Sequence, residues 1–143
     1  TGSVRIINTL DIELYLWSIS IQAGPLNILA ANGGAYEELW RPTINGTGVS
    51  IKIATADSML DVLQFEYSIV YPTVYWDVSC INLDNSSVMI TKGLSAIPDI
   101  PGCPFVICDE TSDACPDVYY KPYDNYAVRG CSANASVDMQ IGY

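Results

Sequence analysis

Glu66 and Asp77 are the two residues whose types and spacing could do chemistry. They sit in runs, 62–70 and 73–82, that alternate apolar and polar residues around Tyr71-Pro72. A turn at that dipeptide sets residues opposite each other when their numbers sum to 143. Glu66 then faces Asp77, Gln64 faces Ser79 and Ser68 faces Tyr75, while Phe65, Tyr67, Ile69, Val74, Trp76 and Val78 fill the other face. Opposed side chains on antiparallel strands have Cβ atoms about 5 Å apart, where two carboxylates repel unless a proton, a cation or a ligand intervenes. Two carboxyl groups are also all that glycoside hydrolysis requires, set about 5 Å apart for retention or further for inversion. The plain alternative is a surface feature without chemistry, with one carboxyl protonated or paired with Lys52 or Arg41. A single bulge in the hairpin would separate the pair.

Other chemistries are poorly supplied. Histidine is absent, which removes Ser-His-Asp and Cys-His catalysis, the usual general base near neutral pH, and His-based zinc or copper sites. Asp109, Glu110, Asp113 and Asp117 could offer oxygens to a hard cation, but they lack the ordered spacing of a calcium loop and read as a solvated acidic loop. No metal or cofactor is expected. Tyr119, Tyr120, Tyr123 and Tyr126 crowd the cysteine region, where aromatic faces suit sugars, protein partners or packing over disulfides.

The elements that must position the carboxyl pair read as strands. Segments 4–9, 12–21, 26–30, 35–40 and 49–55 are rich in β-branched and aromatic residues and are separated by turn-formers such as Asn32-Gly33-Gly34. The 12–21 strand is apolar on both sides, so both of its faces are expected to be covered. Segment 56–63 reads as one helical turn at most, and no longer stretch has helical periodicity. Beyond Asn82 the pattern dissolves into loops; Pro98, Pro101, Pro104, Pro116 and Pro122 exclude central strands there. Two final strands follow, at 126–131 and 136–143. The class is all-β, a sandwich.

The 143 residues fit one domain, 4–143, with Thr1-Gly2-Ser3 read as an expression remnant and left out of fold reasoning. Half the residues are hydrophobic and 15 % are charged, which argues against disorder, while no apolar run reaches the roughly 20 residues of a membrane helix. Six basic residues against sixteen acidic ones give a net charge of −10; nucleic acid and anionic membranes are therefore poor partners. Four of the five cysteines fall between Cys103 and Cys131 and read as two disulfides stapling a loop-rich region in an oxidising compartment. Sequence alone allows three pairings of these four. Sequons at Asn45, Asn85 and Asn134 agree with secretion, and a signal peptide is expected to have been removed.

Val4-Arg5-Ile6-Ile7-Asn8, Leu14-Tyr15-Leu16-Trp17, Gln64-Phe65-Glu66-Tyr67-Ser68, Trp76-Asp77-Val78-Ser79 and Cys115-Pro116-Asp117-Val118-Tyr119 resemble, in this order, the thaumatin-like superfamily. The likeness is greatest to its small fungal members, typified by the Blastomyces yeast-phase-specific protein. The resemblance implies a thaumatin-like β-sandwich, bridges Cys103–Cys131 and Cys108–Cys115, and an unpartnered Cys80 on the apolar side of the hairpin, an inert buried thiol. The family's early cysteine falls at Leu10, and its C-terminal partner is missing near Tyr143. Large members carry an acidic cleft of one Arg, one Glu and three Asp associated with binding, and sometimes hydrolysing, β-1,3-glucan. Glu66 and Asp77 match two of those positions; the Arg falls near Ala54, the next Asp at Asn82, and the loop region supplying the last Asp is shortened.

The resemblance thus implies a secreted, non-catalytic module that binds cell-wall polysaccharide of the β-glucan type through Glu66, Asp77, Asn82 and Tyr75. A secreted virulence or effector protein acting on an extracellular host protein is one alternative. A weak endo-β-1,3-glucanase using Glu66 and Asp77 is the other.

Overall fold

The computed structural model describes residues 1–43, 47–110, 115–121 and 128–142. Two sheets face each other across a continuous apolar core. The five-stranded sheet has the order β4 (Gly34–Leu39), β1 (Ser3–Asn8), β11 (Val137–Ile141), β8 (Leu94–Pro98), β9 (Val106–Cys108). β1 and β11 run parallel, and the other pairs are antiparallel. The six-stranded sheet is antiparallel throughout, in the order β10 (Arg129–Ser132), β7 (Thr73–Ser79), β6 (Leu63–Val70), β5 (Val49–Ala54), β2 (Leu14–Ile19), β3 (Asn27–Leu29). Gly2 and Ser3, excluded from the sequence reading, take part in the fold: the Gly2 amide donates to Ala133 and β1 begins at Ser3.

The hairpin of β6 and β7 closes at Tyr71-Pro72 through a cis peptide bond and keeps the register read from its alternation, Glu66 opposite Asp77 and Gln64 opposite Ser79. Its inward side chains, Phe65, Tyr67, Val74, Trp76 and Val78, are buried and Ile69 is half-buried. Phe65 stacks on Trp76 at 5.4 Å between ring centroids, and Trp40 meets Tyr67 edge-on at 4.8 Å. β2 is covered on both faces as its composition requires. Leu14 and Leu16 enter the main core, while Trp17 packs with Ala54 and Val62 in a second, smaller cluster on the sheet's outer side.

Three expectations fail. Residues 56–62 form bends and coil rather than a helical turn and Leu63 already opens β6, and the short helix α1 (Val88–Thr91), capped by Ser87, lies where loop was read. Pro98 does not exclude an interior strand, because it ends β8 beyond the last residue paired with β9. β11 pairs with 94–98 but β9 only with 94–96, so the missing proline N–H faces no neighbour on the β9 side.

Cys103 is bonded to Cys131 and Cys108 to Cys115, the pairing that the resemblance implies, and Cys80 is buried and free. Burial alone pushes the Cys80 thiol up to about 12, so it stays protonated and unreactive. Leu10, at the place of the family's missing early cysteine, packs against the end of β11: a Cβ on Gly142 would stand 2.9 Å from the Leu10 side chain.

Candidate binding cleft

Pairing of four strands builds the site. On the outer face of the six-stranded sheet, Ile19, Ser50, Glu66 and Asp77 stand in one row across β2, β5, β6 and β7. A flanking row holds Trp17, Lys52, Gln64 and Ser79, and a third holds Ser68, Tyr75 and Gly130. With strands about 4.8 Å apart, the central row extends roughly 14 Å across the sheet. Ile19, Ser50, Lys52, Gln64, Glu66, Ser68, Tyr75 and Asp77 of these rows line an open cleft of about 530 Å³, together with Val128.

Glu66 and Asp77 are half-buried in its middle. Burial, followed by repulsion from and a hydrogen bond with Glu66, pushes Asp77 up to about 8; the positive charge of Arg129 opposes this. The pair therefore holds one proton near neutral pH and can both donate and accept a hydrogen bond. Asp77 Oδ1 is buried and makes no hydrogen bond. Gln64, 6 % exposed, is oriented by Ser50, whose hydroxyl donates to its Oε1 at 3.1 Å.

Tyr75 is 43 % exposed, and its ring lies against the backbone of β10, since a Cβ on Gly130 would stand 3.2 Å from the ring edge. The ring is thus packed against β10 at its edge and stays exposed beside the carboxyl pair. Lys52 lines the cleft one row away, opposite Gln64. Arg41 does not compensate the pair; it belongs to a clasp between the sheets. Glu38 on β4 accepts hydrogen bonds from Tyr36, from Tyr67 on β6 and from Arg41, whose guanidinium also donates to Ser18 on β2. Burial, reinforced by Glu38, drives the Tyr36 phenol up to about 12 and that of Tyr67 higher, so both remain donors.

Of the residues singled out in the sequence, Glu66, Asp77 and Tyr75 come together. Asn82 does not: it is exposed beyond the end of β7, where its carbonyl accepts from Val62. Ala54, at the position of the family's cleft Arg, is 1 % exposed beneath the Trp17 cluster. Arg129 was missed. It pairs with Asp117 at 3.1 Å and lies 5.9 Å from the Trp76 ring centroid; its role comes from β10 pairing with β7, which no local signal announces. Asp117 is therefore engaged rather than solvated. Asp113, Tyr123, Tyr126 and the Asn45 sequon lie outside the described residues. Asn85 and Asn134 are exposed. No group of three or more metal-ligating side chains occurs among the described residues, nor is any described helix long and apolar enough to cross a membrane.

Over residues 1–142 the chain matches the family described as Blastomyces yeast-phase-specific protein. It is 37 % identical over 142 residues to the secreted thaumatin-like protein calA of Emericella nidulans, covering 99 % of this chain and 82 % of that one. To an antigenic thaumatin-like protein of Arthroderma benhamiae it is 33 % identical over 140 residues, covering 98 % and 70 %. Among solved structures, the protein elicitor MoHrip2 from Magnaporthe oryzae shares the fold with a TM-score of 0.81 at 20 % identity, each chain fully covered. The thaumatin-like xylanase inhibitor TLXI does so at 0.61 and 9 % identity, covering 96 % of this chain and 97 % of that one.

Proposed function

We propose that this chain, which belongs to the Blastomyces yeast-phase-specific protein family of secreted thaumatin-like proteins, is a non-catalytic module that binds cell-wall polysaccharide of the β-glucan type in the Glu66/Asp77 cleft. The observation that carries this reading is the row of hydrogen-bonding side chains across the sheet, beside an exposed tyrosine ring packed against Gly130. A sugar presents an apolar ring face and a rim of hydroxyls. Tyr75 suits the first, and Ser50, Gln64, Glu66 and Asp77 suit the second. The direct interaction of the two carboxyls with each other favours binding over hydrolysis, in which the two groups flank a glycosidic bond. The exposed sequons at Asn85 and Asn134 lie outside the cleft lining, so glycans there would leave it open.

Laminarin binding tests the reading. Tyr75→Ala and Glu66→Gln should each weaken it by about tenfold or more while the melting temperature of Glu66→Gln stays near that of the wild type. Unaltered laminarin binding by both variants would remove the cleft from consideration. A second reading, a secreted protein acting through a protein partner, is favoured by the sharing of this fold by an elicitor and a xylanase inhibitor. Pull-down of an extracellular host protein whose capture survives both substitutions would support that alternative.

A further inference from the structure

The carboxyl pair shares one proton among its four oxygens, so acceptors outnumber donors there. Arg41 pairs with Glu38 and Arg129 with Asp117, and neither ion pair takes in Glu66 or Asp77. The groups facing Asp77 are Glu66 from β6, Arg129 from β10 at longer range and Lys52 from β5 at the cleft wall. Asp77 Oδ1 is enclosed by the protein and unbonded, so a ligand in the cleft meets the half-buried pair through its other oxygens.

A neutral hydroxyl offers one proton and no charge, which satisfies one carboxyl and leaves the other. An ammonium offers three donors and the positive charge that two opposed carboxylates lack. The Tyr75 ring beside it adds attraction for a cation, and the net charge of −10 draws cations toward the chain.

We infer that the cleft selects a glycan carrying a protonated primary amine, of the glucosamine type, with the ammonium seated between the Glu66 and Asp77 carboxyls and the sugar ring on Tyr75. This rests on the glycan-cleft reading and narrows it from polysaccharide in general to a partly deacetylated amino-sugar polymer. An arriving ammonium replaces the proton held by the pair, and that proton leaves to the buffer. Affinity then rises with pH until the free amine itself loses its proton.

Calorimetry with three trisaccharides decides it: glucosamine trimer, N-acetylglucosamine trimer and the β-1,3-glucose trimer, each at raised salt to screen the overall charge. Measurement in two buffers of different ionisation heat counts the released proton. The glucosamine trimer should bind wild type roughly tenfold more tightly than either neutral trimer, with proton release. In Asp77→Asn, and separately in Glu66→Gln, that preference and the proton release should vanish. Equal binding of all three trimers would overturn the amine while leaving a glycan cleft. Preference for the glucosamine trimer that persists in both variants would assign it to overall charge and overturn the proposal. Binding of none of the three would overturn the proposal and the glycan reading together.

Discussion

At the scale of single residues, Asp77 makes stability depend on pH in a direction opposite to that of most carboxylates. Its folded pKa lies near 8 against an ordinary 3.8, through burial and the neighbouring Glu66. Between those values the folded chain keeps a proton that the unfolded chain releases. Stability therefore falls as pH rises through this window, with a slope approaching about 1.4 kcal/mol per pH unit, and levels off above it. Asp77→Asn should flatten that slope and make the chain more stable than wild type above the window; urea melts on either side of it would show this. An identical slope in the variant would mean that folding does not raise the Asp77 pKa. Trp76, stacked on Phe65 and 1 % exposed, and Trp17, 6 % exposed in its own cluster, should each cost roughly 3–5 kcal/mol on truncation to alanine, read by thermal melting. The carboxyl pair was legible in the sequence because alternation about one turn fixes register. Asn82 was misjudged because a position aligned by resemblance need not lie on the cleft face, and Arg129 was invisible because its strand arrives from far along the chain.

At the scale of elements, the Glu38 clasp joins β4 of one sheet to β6 and β2 of the other. Glu38 has 9 % of its side chain exposed and Arg41 has 45 %, and this contrast sets the expected energies. Glu38→Ala leaves two phenols and a guanidinium without their shared acceptor and should cost about 3 kcal/mol. Arg41→Ala removes an exposed pair and should cost under about 1 kcal/mol. Chemical denaturation of the two variants checks the difference, and equal losses would show that the clasp is not organised around Glu38. Most strands of the six-stranded sheet were readable because turns punctuate them at short intervals. β8 and β9 were not: their sequence is crowded with proline and cysteine, and what admits them is the local detail that Pro98 lies where β8 has lost its outer neighbour.

At the scale of the whole molecule, covalent bonds tie the loop-rich region to the sheets. The Cys103–Cys131 bridge has a sequence separation of 28 and ties β10 to the loop before β9, whereas Cys108–Cys115 has one of 7. Chain entropy then assigns roughly 3–4 kcal/mol to the first bridge and about 2 kcal/mol to the second. Removing each pair of cysteines by double alanine substitution should reproduce that order in melting temperature, and a reversed order would place the stabilisation in local packing instead. β1 lies between β4 and β11, and its partner β11 comes from the far end of the sequence, with Val4 beside Val137. During synthesis, which proceeds from one end to the other, β1 and β4 can pair early, but the other edge of β1 stays bare until β11 emerges. The five-stranded sheet is thus completed late, and its nascent form presents an open strand edge that chaperones of the secretory route are suited to cover.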